Sequence, residues 1–258
     1  MYIWKRIILY PLFLLLFTNI YAQDEINQYA TASYKNSFNG GFFLHTNGWG
    51  ISLQYLANRT VNTNLLFNLD ITTLKHPKET RVINPNYDAA KSYIFGKINN
   101  VIAIRAGLGN QFIIADKETP KGWRVNANFA LGANFALLIP VYLEIIHDYR
   151  DPLDSNHIIP QRNVERYNPT PGSQQDNQGN IYGGTSYFKG LFESNMAIGA
   201  FGKFGFNFEW NDFENTFKFI EIGVLVDLFP EPLPIFAYVD NKYLFVNLYL
   251  NLSLGKRW

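Results

Sequence analysis

Residues 243–258 read YLFVNLYLNLSLGKRW. Leu244, Val246, Leu248, Leu250, Leu252 and Leu254 fall on alternate positions, with Phe245, Asn247, Tyr249, Asn251 and Ser253 between them. A repeat of two places successive side chains on opposite faces, so the stretch is a strand with one unbroken apolar face and one mixed polar face. Trp258 shares the apolar parity. The pattern predicts a strand with one side in hydrocarbon, the other in a polar lumen, and an aromatic at the interface. A secreted β-sandwich would give the same alternation and is the competing architecture.

The start of the chain supports export. Lys5 and Arg6 precede an apolar run over 7–17, followed by a polar pair and Ile20-Tyr21-Ala22. This is the layout of a signal peptide, expected over 1–22 with cleavage after Ala22. The run is shorter than the ~20 apolar residues of a spanning helix. Removing Lys5 and Arg6 takes the 22 basic residues to 20 against 21 acidic, a balance that argues against nucleic acid as a partner. The chain has no cysteine, which excludes disulfides, thiolate metal sites and a lipid-modified N-terminal cysteine. No later segment is apolar for the length of a helix, so a membrane location requires a closed barrel, the one sheet form that leaves no unpaired edge in lipid.

Seven further strands follow the same logic. They are expected near 38–46, 49–57, 64–73, 99–109, 123–138, 194–210 and 217–228, which makes the domain over 23–258 an all-β, antiparallel, eight-stranded transmembrane barrel. Residues 123–138 are expected to continue through Pro140 toward Ile145 above the membrane. Asn47-Gly48 is read as a tight turn. Connections after the second, fourth and sixth strands are short, and those after the third, fifth and seventh (75–97, 147–190 and 230–241) are long. That asymmetry fits short periplasmic turns and long extracellular loops. Trp49, Trp123, Trp210 and Trp258 lie at strand ends with lipid-facing parity, as an interfacial girdle requires.

Several segments resemble a family of small, mostly uncharacterised outer-membrane β-barrel proteins of Bacteroidota. They are KSYIFGKINN at 91–100, IPVYLEI at 139–145, YFKG at 187–190 and GKRW at 255–258, with the Ala22-Gln23 junction similar to export sites in that group. The resemblance implies location in the cell outer membrane with loops at the surface. It also implies engagement of the barrel-insertion machinery at the terminal aromatic during assembly. It supplies no catalytic residues.

The inward positions carry the remaining chemistry. Asp70, Arg105, Lys203, Glu209 and Glu221 are expected to form a polar network in the lumen, where a buried charge must be paired. Large inward side chains such as Phe43, Phe201, Phe245 and Tyr249 should fill an eight-stranded interior, and 147–190 can cover the outer mouth. If the hairpin pairs His45 with Gly50, and Ser52 lies opposite Asp70, then Ser52, His45 and Asp70 become neighbours with the parts of an acyl-transfer site. His147, Asp148, Asp151, Asp154 and His157 crowd the start of the longest loop and are candidate divalent-cation ligands, although they lack the pattern of a calcium loop. There is no glycine-rich phosphate motif and no cofactor is expected. The resulting expectation is a non-enzymatic outer-membrane barrel in contact with lipid, whose surface loops bind an unidentified membrane or surface partner or ligand. A barrel-embedded lipid hydrolase or acyltransferase and a small pore are the alternatives.

Overall fold

The computed structural model describes residues 36–60, 62–116, 122–150, 158–213 and 216–258. The expected signal peptide lies outside the described residues. Thirteen strands are present among them: β1 Ser37–His45, β2 Gly48–Asn58, β3 Thr63–Leu74, β4 Arg81–Val82, β5 Tyr93–Ile94, β6 Asn99–Ala115, β7 Trp123–Pro140, β8 Tyr142–Arg150, β9 Ile158–Arg166, β10 Ile181–Gly184, β11 Asn195–Phe213, β12 Thr216–Leu228 and β13 Leu244–Arg257. Eight of them close a barrel in the order β1-β13-β12-β11-β7-β6-β3-β2, every neighbouring pair antiparallel. The fold is therefore all-β, a single closed eight-stranded barrel with a smaller β structure at one end.

Alternation in sequence becomes alternation across the wall. On β13, Val246, Leu248, Leu252 and Leu254 are exposed, while Phe245, Asn247, Tyr249, Asn251 and Ser253 are buried. The same exposed apolar rows continue through Phe42 and Leu44 on β1, Ile51 on β2, Leu108 on β6, Leu131 on β7, Ile198 on β11 and Ile222 on β12. A folded chain that turns these side chains outward and buries Arg105, Asp70, Glu221 and Asp227 at 0% exposure inverts the usual arrangement of a water-soluble protein.

Glycines set the space inside. A Cβ at Gly205 would lie 2.2 Å from the Tyr249 hydroxyl and one at Gly223 2.8 Å from the same ring; one at Gly107 would lie 2.7 Å from Phe201, and one at Gly255 2.2 Å from Phe217. Tyr249, Phe201 and Phe217 thus occupy holes left by glycines facing them. Midway along the lumen Phe43, Phe201, Leu225 and Tyr249 pack as one cluster, and below them Leu56, Leu66 and Ala130 form another.

The largest extension beyond the sequence alternation is in β6, which runs to Ala115 rather than ending near 109, held by pairing with both β3 and β7. The 147–190 stretch also differs from a bare loop. It contains β9 and β10, which flank β8 in a three-stranded sheet ordered β10-β8-β9. β8 continues β7 after a break at Val141, whose N–H bonds Ile98 O at 2.9 Å and whose carbonyl accepts from Tyr167 at 2.8 Å. At that residue the chain exchanges barrel partners for cap partners. Tyr93, Leu143, Ile145, Tyr167 and Ile181 make the core of this cap.

Among the described residues, the mouth at the capped end is closed by the segment after β12. Phe229, Leu233, Ile235 and Phe236 pack with Leu74, Val101, Leu138 and Phe245 in one buried cluster at the open end of the barrel. The Asn241 side chain fixes this segment, accepting from the Ile235 and Phe236 N–H groups at 2.9 and 3.0 Å and donating to Phe236 O at 2.9 Å. Its prolines suit it to a compact stopper, because Pro230, Pro232 and Pro234 present no backbone N–H that would need a partner in an apolar plug.

Candidate functional site

Two layers of charge cross the lumen. In the outer layer Arg105 on β6 reaches Asp227 on β12 with both arms of its guanidinium, Nε to Oδ1 at 2.6 Å and Nη2 to Oδ2 at 2.9 Å. Its third nitrogen donates to Thr72 Oγ1 at 2.7 Å, and Asn134 Nδ2 adds a bond to Asp227 Oδ1 at 2.7 Å. Arg105 and Asp227 are both fully buried, and the bidentate geometry is the strongest form such a pair takes. In the inner layer Lys203 Nζ lies 3.5 Å from Asp70 Oδ2 and 3.5 Å from Glu221 Oε1, with the Phe43 and Tyr249 rings each 4.8 Å away. Glu221 also accepts from Tyr249 Oη at 2.5 Å, Asn128 Nδ2 at 2.8 Å and Gln54 Nε2 at 3.3 Å. Glu209 lies at the end where the chain terminates and bonds Arg257 at 2.8 Å.

All five residues expected in the lumen network are therefore buried on the inner face. Asp227 is the member left out of that set, and its signal was inward parity alone. The network ties β3, β6, β11, β12 and β13 together across the barrel and is held in place by stacked aromatics, so it is a cross-brace. A chain of groups offering a path for protons or ions would need gaps that the aromatic layer fills.

The Ser52, His45 and Asp70 arrangement does not assemble. Ser52 does stand opposite Asp70. His45, however, pairs with Gly48, so Ser52 lies opposite Gly41, four positions further along β1, or about 13 Å at a strand's rise per residue. His45 Nε2 instead lies 3.0 Å from Thr73 O, and Nδ1 3.3 Å from Asn247 Oδ1. The reason is in the turn. Gly48 sits inside the wall, where a Cβ would approach Thr73 O to 2.0 Å, so the two turn residues are Thr46 and Asn47. Thr46 is anchored to β13 through its N–H to Leu248 O at 3.0 Å. The glycine serves close approach and not a left-handed turn, and the register moves by two residues while every side chain keeps its face.

Two of the five candidate cation ligands, His147 and Asp148, lie among the described residues. His147 Nε2 lies 2.8 Å from Glu165 Oε1 across the β8–β9 pair, and Asp148 is exposed. Asp151, Asp154 and His157 lie outside the described residues. Among the described residues no group of acidic and histidine side chains is arranged to hold a metal ion.

The four girdle tryptophans stand at wall ends. Trp49 opens β2 at the capped end; Trp123 and Trp210 face each other across β7 and β11 at the opposite end, ring centroids 5.1 Å apart. Trp258 follows β13 at that same end, its N–H bonded to Asn36 O at 2.9 Å.

The capped end holds the other polar features. Lys97 and Glu79 form a buried pair at 2.8 Å, and burial lowers the Lys97 pKa below the ordinary lysine value. Tyr167 accepts from the Gly96 N–H at 3.1 Å, and burial pushes its hydroxyl up to about 12. Gly96 takes a left-handed φ of 77°, which lets the chain turn beneath Tyr238. Tyr238 donates to Asp176 and stacks on Phe95 at 5.6 Å, joining the stopper to the β9–β10 connection. A cleft of about 260 Å³ opens between β4, β5 and the 184–187 segment, lined by Arg81, Lys97, Asn100 and Tyr187.

No family model matches the sequence, and no curated protein matches it. Solved structures similar in fold include Neisserial surface protein A, at 9% identity over 86% of this chain and 94% of that one with a TM-score of 0.37. Ail, the attachment invasion locus protein of Yersinia pestis, is similar at 10% identity over 87% and 98% with a TM-score of 0.39. The N-terminal β-barrel domain of Pseudomonas aeruginosa OprF is similar at 10% identity over 87% and 98% with a TM-score of 0.32. Likeness at this level carries no argument about activity.

Proposed function

We propose that the chain is an integral outer-membrane protein with a sealed lumen and no enzymatic activity, whose cap at the outer end binds a partner or ligand at the cell surface. One observation carries the membrane reading: a closed barrel turns continuous rows of Leu, Ile, Val, Phe and Met outward and buries Asp70, Arg105, Lys203, Glu221 and Asp227 within it. The cap has its own apolar core, so it is a built element rather than slack chain, which favours recognition at the cap over recognition by the wall. A lipid-hydrolase reading loses its support once His45 and Ser52 are four positions apart. A pore reading is opposed by the aromatic layer, the two charge layers and the stopper.

Fractionation tests the location. After urea washing, the protein should remain with the outer-membrane band of a density gradient and show a faster-migrating folded form on unheated gels. Recovery in the soluble or secreted fraction would replace the barrel reading with that of a secreted β protein. Surface crosslinking in native membranes, followed by mass spectrometry, should recover a partner bound through cap residues.

A further inference from the structure

Asn100 on β6 and Ile139 on β7 face each other and carry the outward parity of Ile102 and Leu137, yet both are buried. The chain between β10 and β11 comes over this corner. Tyr187 shares a cleft with Asn100 and bonds Val101 O at 3.5 Å; Gly190 lies so near the end of β7 that a Cβ would meet Pro140 O at 2.5 Å. The turn therefore rests against the outside of the wall and not over the lumen. Tyr142 holds it, donating to Glu193 Oε1 at 2.6 Å while its ring lies 5.5 Å below Lys189 Nζ.

From that position two phenylalanines project away from the protein. Phe188 is 58% exposed, and Phe192, on the single 3-10 turn Leu191–Glu193, is 99% exposed. Four residues later the chain is in β11, where Met196 and Ile198 begin an outward apolar row. In water, leaving a phenylalanine fully exposed forgoes all the favourable burial its ring offers. At the boundary of headgroups and acyl chains, aromatic side chains are favoured anchors, and a neighbouring lysine keeps its ammonium among the headgroups.

We propose that the turn between β10 and β11 is a membrane hook: Phe188 and Phe192 insert into the headgroup–acyl boundary of the outer leaflet, continuous with the lipid-facing surface of β11. This rests on the membrane-barrel reading. The hook pins the cap to the bilayer on the β6–β7–β11 side and leaves the opposite side of the cap for recognition. The ligand is lipid hydrocarbon, because the phenylalanines extend the row that Met196 and Ile198 begin.

The absence of cysteine from the sequence makes the test clean. Single variants Phe192→Cys, Ile198→Cys and Gln174→Cys, the last in the connection between β9 and β10, are spin-labelled. Each is reconstituted into vesicles of phosphatidylethanolamine and phosphatidylglycerol. Power saturation then compares access by oxygen, which concentrates in hydrocarbon, with access by a water-soluble nickel chelate. The expected result is preferential oxygen access at 192 and 198 and preferential nickel access at 174. Nickel access at 192 with oxygen access at 198 overturns the hook while leaving the barrel in the membrane, and assigns the phenylalanines to a protein partner. Nickel access at both 192 and 198 overturns the hook together with the membrane reading.

Discussion

Tyr249 shows how closely the interior is specified residue by residue. Its ring fits because Gly205 and Gly223 face it, and its hydroxyl reaches Glu221 only through that gap. Gly205→Ala should cost about 1–3 kcal/mol through overpacking. In a Tyr249→Phe background the added cost should be much smaller, because the hydroxyl that meets the new methyl is gone; additive costs in urea unfolding would contradict the contact. The buried Arg105–Asp227 pair predicts a larger effect. Arg105→Met leaves Asp227 uncompensated and should lose about 3–5 kcal/mol, with most of that recovered in Arg105→Met/Asp227→Leu. An equal loss in the double variant would show that the brace depends on more than this pair. Ser52 gives the opposite case: its hydroxyl is buried and makes no hydrogen bond among the described residues. Ser52→Ala should therefore change stability by less than the ~0.5–1.5 kcal/mol of one hydrogen bond and leave lipid acylation untouched. Altered acylation at constant folded protein would restore an enzymatic role. Inward parity placed every one of these side chains on the correct face from sequence. Which of them pair was not legible, because Arg105 and Asp227 are joined across the lumen of a barrel whose registers no local pattern states.

At the level of elements, the barrel strands were readable and the cap was not, for one physical reason. A wall strand between hydrocarbon and a polar lumen has two contrasting faces, so β13 and β3 spell out their alternation. β8 reads Tyr-Leu-Glu-Ile-Ile and has Leu143 and Ile145 under the cap core while Tyr142 and Ile146 stay half-buried on the other side. Its two faces lack contrast, and β9 contains Pro160, which a sequence reading takes for loop. The tight Asn47-Gly48 turn misled for a related reason, since a glycine in a crowded wall answers to neighbouring backbone and not to turn geometry. The end of β13 makes its own prediction. Trp258 bonds Asn36 O and packs near Tyr55, with centroids 6.3 Å apart, so it ties the last strand to the first hairpin. Deleting it should lower the yield of heat-modifiable folded barrel in membranes; an unchanged yield would remove that role. The latch between Tyr238 and Asp176 predicts pH behaviour of the cap. The Tyr238 bond holds the Asp176 carboxyl below the ordinary range, so this contribution is present above the unfolded value and lost as pH falls through the lowered one. Burial, then the bond to Asp176, raises the Tyr238 hydroxyl, so its contribution is present below the unfolded value and lost as pH rises through the raised one. Cap protection in hydrogen exchange should thus be flat between about pH 5 and 9 and fall outside that window. A loss inside it would assign the latch to other groups.

For the whole molecule, the barrel is filled from side to side. Eight strands leave an interior just wide enough for side chains, while open aqueous channels belong to barrels of about 16–18 strands. Here that interior holds the Arg105–Asp227 brace, the Phe43–Tyr249 stack at 5.0 Å and the Lys203 cluster, and the segment after β12 stops the mouth at the capped end. Strand count and a filled lumen followed from sequence; the identity of the stopper did not, because its contacts are all with residues distant in the chain. Single-channel recording of the purified protein in planar bilayers tests this most directly. The membrane should stay silent, with no stable ohmic conductance. A reproducible porin-like open channel would contradict it.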